Sequence, residues 1–481
     1  MGKRKADEIR TSEEERVYTT GAGEVSAPGG RPATPARDWT KGSVIRNLLT
    51  LSWPIVIHNA LYMVGQTVDM IWIGRLGSNA VAGVGVAFII HMLILSAMMG
   101  FVTGTRAMVA RAVGAGDNTT ANHIVRQALI VSVIIGVIVT VLGVTLAEPI
   151  LGFFGLKEAV VIEGVAYMQV LFGGWVAYSM WLVAFSIMQA AGDSLTPMVI
   201  HAFTRSVQLV LSPLLVFGLL VFPQMGVRGA ALSMIIGQAL GMVISLWILA
   251  IGRTRLKLTF SNFRLDLKMI WRMVKIGAPA MIMGMERNFG QMLLLRVISP
   301  FGTLAVAAHT LNQRVEMFVF MPGVGIGTGA GVLVGQNLGA RQAGRAETTG
   351  WLATGLSAGF MSVCAVAVLL WAEPIMSIFT REAGLIEMGG MFLRIGATGY
   401  LLNGLSTGLQ NSISGAGDTL PPMLVSIAAT WVVLLPLAVF LPKITDLGVQ
   451  GVRWAMVASL LVGAVAYSIY FKTGRWKRKA V

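Results

Sequence analysis

One cysteine in 481 residues is the sharpest scarcity in this chain. Cys364 lies in an apolar run, so it has no partner for an internal disulfide and no second thiolate for a metal site. Charge is scarce as well: Asp, Glu, Lys and Arg make up 12% of the residues, against 55% hydrophobic ones. With a mean hydropathy of +0.74, that composition excludes an ordinary soluble domain. Acidic residues are the scarcer sign, 22 against 37 basic, which leaves a formal net charge of +15. Such a balance would suit nucleic acid, but the basic residues here flank apolar runs, where membrane topology explains them better. No nucleic-acid partner is expected. His58, His91, His201 and His309 fall one per apolar segment, which is not metal-ligand spacing, so no metal site and no cofactor is expected. Phosphate-binding loops after a strand are missing, and so are nucleophile–base pairs and aspartate-rich motifs, which argues against an enzyme.

What the chain has in abundance is apolar runs of about 20 residues, each long enough to cross a bilayer as a helix. Twelve are predicted: 45–74, 82–111, 122–146, 160–189, 197–222 and 226–252, then 268–298, 306–335, 345–371, 385–412, 421–441 and 449–471. The two sets are copies. An offset of 225 residues carries Pro54 onto Pro279, Gly65-Gln66 onto Gly290-Gln291, and Gly77 onto Gly302. The same offset carries Ala147-Glu148-Pro149-Ile150 onto Ala372-Glu373-Pro374-Ile375 and Ala191-Gly192-Asp193 onto Ala416-Gly417-Asp418. Shared hydrophobicity would not align Gly, Pro and Asp, so the chain is an internal repeat. Six spans per copy is an even number, and both copies therefore enter the membrane in the same direction, as a parallel repeat.

The fold expected is an all-α polytopic membrane protein of twelve transmembrane helices in two six-helix lobes. Residues 1–43 read as a disordered tail, 44–252 as the first lobe, 253–267 as a linker, 268–472 as the second lobe and 473–481 as a basic tail. No cleavable signal peptide is expected. Both tails and the linker lie on one face and carry Lys3, Lys5, Arg253, Lys257, Lys477 and Arg478 among others. The positive-inside rule makes that face cytoplasmic, in a multi-pass cell-membrane protein.

Several motifs carry a resemblance to a known family. They are Pro54, Asp69 and Gly77 in span 1, Gly114-Ala115-Gly116-Asp117 after span 2, and Gln189 to Pro197 before span 5. Gly335-Gln336-Asn337-Leu338-Gly339-Ala340, closing span 8, completes the set. In order, spacing and duplication these resemble the multidrug and toxic compound extrusion (MATE) family of cation-coupled antiporters, over 44–472. The resemblance implies a V-shaped pair of bundles that alternates between outward-open and inward-open states. It also implies export of organic, often cationic, compounds in exchange for H⁺ or Na⁺, with small-molecule substrates, the bilayer as surroundings and a monomer as the working unit. A lipid-linked oligosaccharide flippase of the same superfamily is the near alternative and would need a strongly cationic cleft. An intramembrane enzyme is the remote one.

Asp69 is the first candidate for the cation or proton site. It lies fifteen residues after Pro54, about 22 Å along a helix, and a carboxylate at that depth must be paired, hydrated or protonated. The resemblance places a span-5 amide and acid of the family at Gln208 and Ser212, and a span-4 tyrosine at Tyr167. Ser212 carries no charge, so the site holds one acid, which suits H⁺ better than Na⁺. Packing is the competing role for Gln208 and Tyr167. In the second copy, Glu286 falls near a family glutamate, and Arg287, Arg314 and Glu316 form a possible polar cluster, either a coupling site or a buried Glu–Arg pair that fixes packing. Pro54 is the candidate hinge, since proline removes a helix hydrogen bond. Arg205 reads as snorkelling to the cytoplasmic face.

Overall fold

A computed structural model describes residues 38–258, 264–479 and 481. Of the expected tail, 1–37 lies outside the described residues, as do 259–263 of the linker. All regular structure among the described residues is helical. The first lobe comprises α1 (Val44–Gly74), α2 (Ser78–Gly114), α3 (Asn118–Thr145), α4 (Ala147–Phe153), α5 (Glu158–Gly173), α6 (Trp175–Ala190), α7 (Leu195–Phe217) and α8 (Val227–Ile251). The second comprises α9 (Leu267–Ile298), α10 (Thr303–Gly339), α11 (Ala343–Ser377), α12 (Ala383–Thr398), α13 (Tyr400–Gly415), α14 (Leu420–Ile427), α15 (Leu435–Ile444) and α16 (Val449–Lys472). A π-helical stretch, Ala428–Leu434, joins α14 to α15.

Among the described residues nine helical stretches are long and apolar enough to span a membrane, counting α14, the π-helical stretch and α15 as one (Leu420–Ile444), and α5 with α6, bent by 52° at Gly174, makes a tenth span. The remaining two are α9, which is rich in charge, and the pair α12 and α13, broken at Gly399. Each stands one repeat length after an apolar span, and together they complete twelve. The repeat holds to the residue: α10 spans the positions of α2 shifted by 225, and α12 and α13 do the same for α5 and α6. Spans 4 and 10, read from the sequence as continuous, are each two helices. The short α4 was not foreseen either; its counterpart is the last turn and a half of α11, which bends at Trp371 (φ −120°). Only the sixth span breaks the offset: Gly226 and Gly448 open α8 and α16 in matching conformations, three residues short of the repeat.

Helix starts follow ordinary capping chemistry. Ser43 Oγ accepts from the Arg46 amide at α1, Asp117 caps α3 through the Thr120 amide (2.9 Å), and Asp266 caps α9 through the Met269 amide (3.0 Å). Hydrogen bonds from the Thr120 side chain and amide to Asp117, and from the Met269 amide to Asp266, hold the two carboxyls below the usual carboxylate range.

Lipid gives no hydrophobic force between helices, so the lobes must meet by close packing. A Cβ on Gly100 would stand 2.5 Å from the Met281 amide nitrogen and 2.7 Å from the Gly277 carbonyl, so only glycine lets α2 lie this close to α9. Hydrogen bonds join the lobes from Asn59 to the Met321 carbonyl, from Asn288 to Ser96 and from Gln336 to the Ala190 carbonyl. These contacts occupy the half of the bundle that carries the chain's ends, with α1 contributing up to Asn59 and α10 from Met321 onward. On that face the Arg345 guanidinium donates to the Lys41 carbonyl and that of Arg111 to the Lys479 carbonyl, each reaching from one lobe to the other's terminal segment.

Candidate functional site

The polar seam of the first lobe runs between α1 and α7. On α1, His58, Tyr62, Gln66 and Asp69 recur at helical spacing and share one face; on α7, His201, Arg205, Gln208 and Ser212 do the same. The two faces meet. Gln208 Nε2 donates to Asp69 Oδ2 at 2.5 Å, and Arg205 Nη1 donates to Gln208 Oε1 at 2.7 Å. The order of that chain is forced, because a guanidinium can only donate, which turns the amide oxygen toward Arg205 and its NH₂ toward Asp69. Arg205 needs space to get there. Gly65 provides it: a Cβ there would lie 2.5 Å from Arg205 Cδ. The guanidinium then sits over the Tyr62 ring, 5.6 Å from its centroid.

Around this chain are buried polar atoms without a hydrogen-bond partner: Asp69 Oδ1, Tyr62 Oη, Gln66 Nε2, Arg205 Nε and Ser212 Oγ. The Ser212 hydroxyl stands beside the carboxylate without a hydrogen bond of ordinary geometry. Tyr167, on α5, is buried within electrostatic reach of Asp69. Toward the half where the lobes meet, His58 lies against His201 and Phe185, with ring centroids 4.1 and 4.2 Å apart. So the structure brings Asp69, Gln208, Ser212 and Tyr167 together. Arg205 is a correction: it is buried in the site, 7% exposed, because Gly65, Tyr62 and Gln208 supply a partnered niche that the membrane surface would not.

In the second lobe the expected cluster comes apart. Glu286 is buried on α9 and accepts from Ser426 Oγ at 2.9 Å, not from Arg287, whose side chain is exposed. Neighbours in sequence on a helix point some 100° apart, so Glu286 and Arg287 cannot both face α14. Arg314 is exposed too, while Glu316 forms a buried ion pair with Arg453 of α16. Arg453 is 1% exposed, reaches the Phe392 carbonyl at 3.3 Å and lies over that ring. Pro54 and Pro279 lie inside helices that continue through them. Among the described residues no group of three or more His, Cys, Asp or Glu could hold a metal ion.

Arg205, His58, His201, Tyr62, Gln66, Ser426 and Arg453 were not among the sequence candidates. His58, Tyr62, Gln66 and His201 were legible as polar stripes at helical spacing on α1 and α7; Arg205 shares that stripe but reads alone as an interfacial anchor. Arg453 was not legible, since its partner stands 137 residues away in another span.

Comparison with known proteins follows the same division into copies. The family model described as MatE matches residues 54–214 and again 279–440. The chain is 26% identical over 447 residues to the "Probable multidrug resistance protein NorM" of Thermotoga maritima, covering 91% of this chain and 94% of that one. A MOP superfamily transporter from Pyrococcus furiosus superposes with a TM-score of 0.87 at 22% identity, over 94% of this chain and 100% of that one. An outward-facing multidrug resistance MATE transporter does so at 0.86 and 22%, over 92% and 98%. These likenesses carry the twelve-helix fold, and the double match carries the family. The chain belongs to the MatE family of membrane transporters, with one copy of the family unit in each lobe.

Proposed function

We propose that this protein exports small organic molecules across the cell membrane by alternating access, in exchange for protons that bind Asp69. The observation that carries the reading is the ordered chain Arg205–Gln208–Asp69, which ends on a buried carboxylate oxygen without a partner. Because Gln208 can only donate to Oδ2, an incoming proton goes to Oδ1. Neutralising Asp69 removes the counter-charge that Arg205 feels through Gln208, and the α1–α7 seam then has reason to repack. A ligand shifts such an equilibrium only by its difference in affinity between two states, and a proton that changes the seam's net charge has one.

Sodium fits the same atoms poorly. It would need about five or six oxygens, and the seam offers one carboxylate with a guanidinium close behind it. The basic linker and tails support a cytoplasmic assignment for the sealed face. The state described is then open to the outside, where protons enter. The multidrug name of the Thermotoga relative supports organic substrates, and the working unit is a monomer. Substrate uptake into inverted vesicles in Na⁺-free buffer tests the reading. Uptake should collapse with a protonophore; uptake that requires added Na⁺ and ignores the protonophore would overturn it.

A further inference from the structure

A second polar site lies on the sealed face, across the seam between the lobes. A cavity of about 340 Å³ is walled by Arg111 and Asp117 from the first lobe and by Arg272 and Arg341 from the second, over an apolar floor that includes Met108 and Met269. Its one acidic side chain is already engaged, since Asp117 caps α3. Among the described residues none of the three arginines forms an ion pair. Arg111 uses one nitrogen on the Lys479 carbonyl, and its buried Nε and Nη2 have no partner.

Arg341 adds an independent signal. Its backbone is left-handed, with φ 59°, and the matching residue of the first copy is Gly116, with φ 76°. An L side chain is strained in that conformation, and such strain persists where the side chain has a task. The positive-inside rule accounts for basic residues on this face but not for an arginine in a glycine's place, lining a cavity beside two more.

We propose that this pocket binds a phosphate-bearing anion, which bridges Arg111 of one lobe to Arg272 and Arg341 of the other and so holds the sealed face closed. Arginine forks suit phosphate oxygens, and three of them around an apolar floor suit a phospholipid headgroup whose glycerol end rests on the methionines. Free phosphate offers the same oxygens without the apolar part. Binding does not depend on the antiport reading; only its effect on transport does.

The test is thermal unfolding of the purified full chain, titrated with inorganic phosphate in one arm and with phosphatidylglycerol against phosphatidylcholine in mixed micelles in the other. Wild type should be stabilised by phosphatidylglycerol, by phosphate, or by both; the first alone identifies the headgroup as the source. Arg272→Gln should weaken the apparent affinity about tenfold. Arg341→Gly should unfold no earlier than wild type without ligand, because the backbone relaxes, yet lose most of the response. Neither anion stabilising wild type, or both variants responding as wild type does, would overturn the site. No transport is measured, so either result leaves the proton reading where it stood.

Discussion

Where the first lobe places Asp69, the second places Leu294, and Gln208 and Ser212 give way to Val433 and Leu437. The exchange runs the other way too. Glu316, buried against Arg453, replaces His91, which in the first lobe sits among aromatic rings 5.1 Å from Trp175 and 5.8 Å from Tyr178. Arg453 lies over Phe392, the counterpart of Tyr167. One backbone thus carries two chemistries. The first lobe leaves its acid with a free oxygen at the α1–α7 seam, while the second closes an acid against an arginine inside the bundle. A carboxylate with an open valence can exchange a proton, whereas one consumed by a buried guanidinium serves as structure, since removing either partner strands a charge. Glu286 stands between these cases, with one oxygen on Ser426 and the other unpartnered.

The contrast predicts unequal variants. Asp69→Asn should reduce uphill export to the level of a gradient-collapsed control while the protein stays folded, because the amide still accepts from Gln208 but cannot cycle a proton. Glu286→Gln keeps the bond to Ser426 and should leave export within about threefold of wild type. Substrate uptake under an imposed pH gradient reads both. Normal export by Asp69→Asn would erase the distinction between the lobes.

Stability should divide the opposite way. Glu316→Gln or Arg453→Met should each cost about 3–5 kcal/mol, because the surviving partner is buried without compensation. The double variant Glu316→Leu with Arg453→Met should recover most of that loss and retain export. Thermal unfolding in detergent checks the first part, and vesicle uptake the second. If the double variant is as unstable as the singles, or folds but does not transport, the pair is more than a packing device.

The repeat, the spans and the burial of Asp69 among polar partners were legible in the sequence because each left a local mark: aligned Gly, Pro and Asp for the copies, and a lone acid in an apolar run for the candidate site. What escaped was relational. Arg205 lies one helical turn before Gln208, on the face that holds the site, but a basic residue eight positions past Pro197 looks like an interfacial anchor until Gly65 is seen to make room for it. The Glu316–Arg453 pair joins spans 8 and 12, and no local pattern announces it. The breaks at Gly174 and Gly399 were hidden because glycine is common in membrane helices, and the π-helical stretch Ala428–Leu434 has no composition of its own.

That π-helical stretch falls on the counterparts of 203–209, where α7 stays α-helical and carries Arg205 and Gln208. The glycine opposite is kept in both copies, facing Arg205 from Gly65 and Thr430, the residue matching Arg205, from Gly290. Alanine at either position sharpens the comparison with the smallest change. In Gly65→Ala the new methyl would sit 2.5–2.7 Å from Arg205 Cδ, Nε and Nη1, so the guanidinium must leave its niche and Gln208 loses its donor. Overpacking costs about 1–3 kcal/mol, and the displaced charge should cut export well beyond that loss of folded protein. In Gly290→Ala the methyl meets only the Thr430 methyl, at 2.7 Å, and no hydrogen bond depends on it. Its unfolding midpoint should fall by a similar amount, with transport per folded molecule unchanged. Equal transport by the two alanine variants would mean that Arg205 does not act on Asp69 through Gln208.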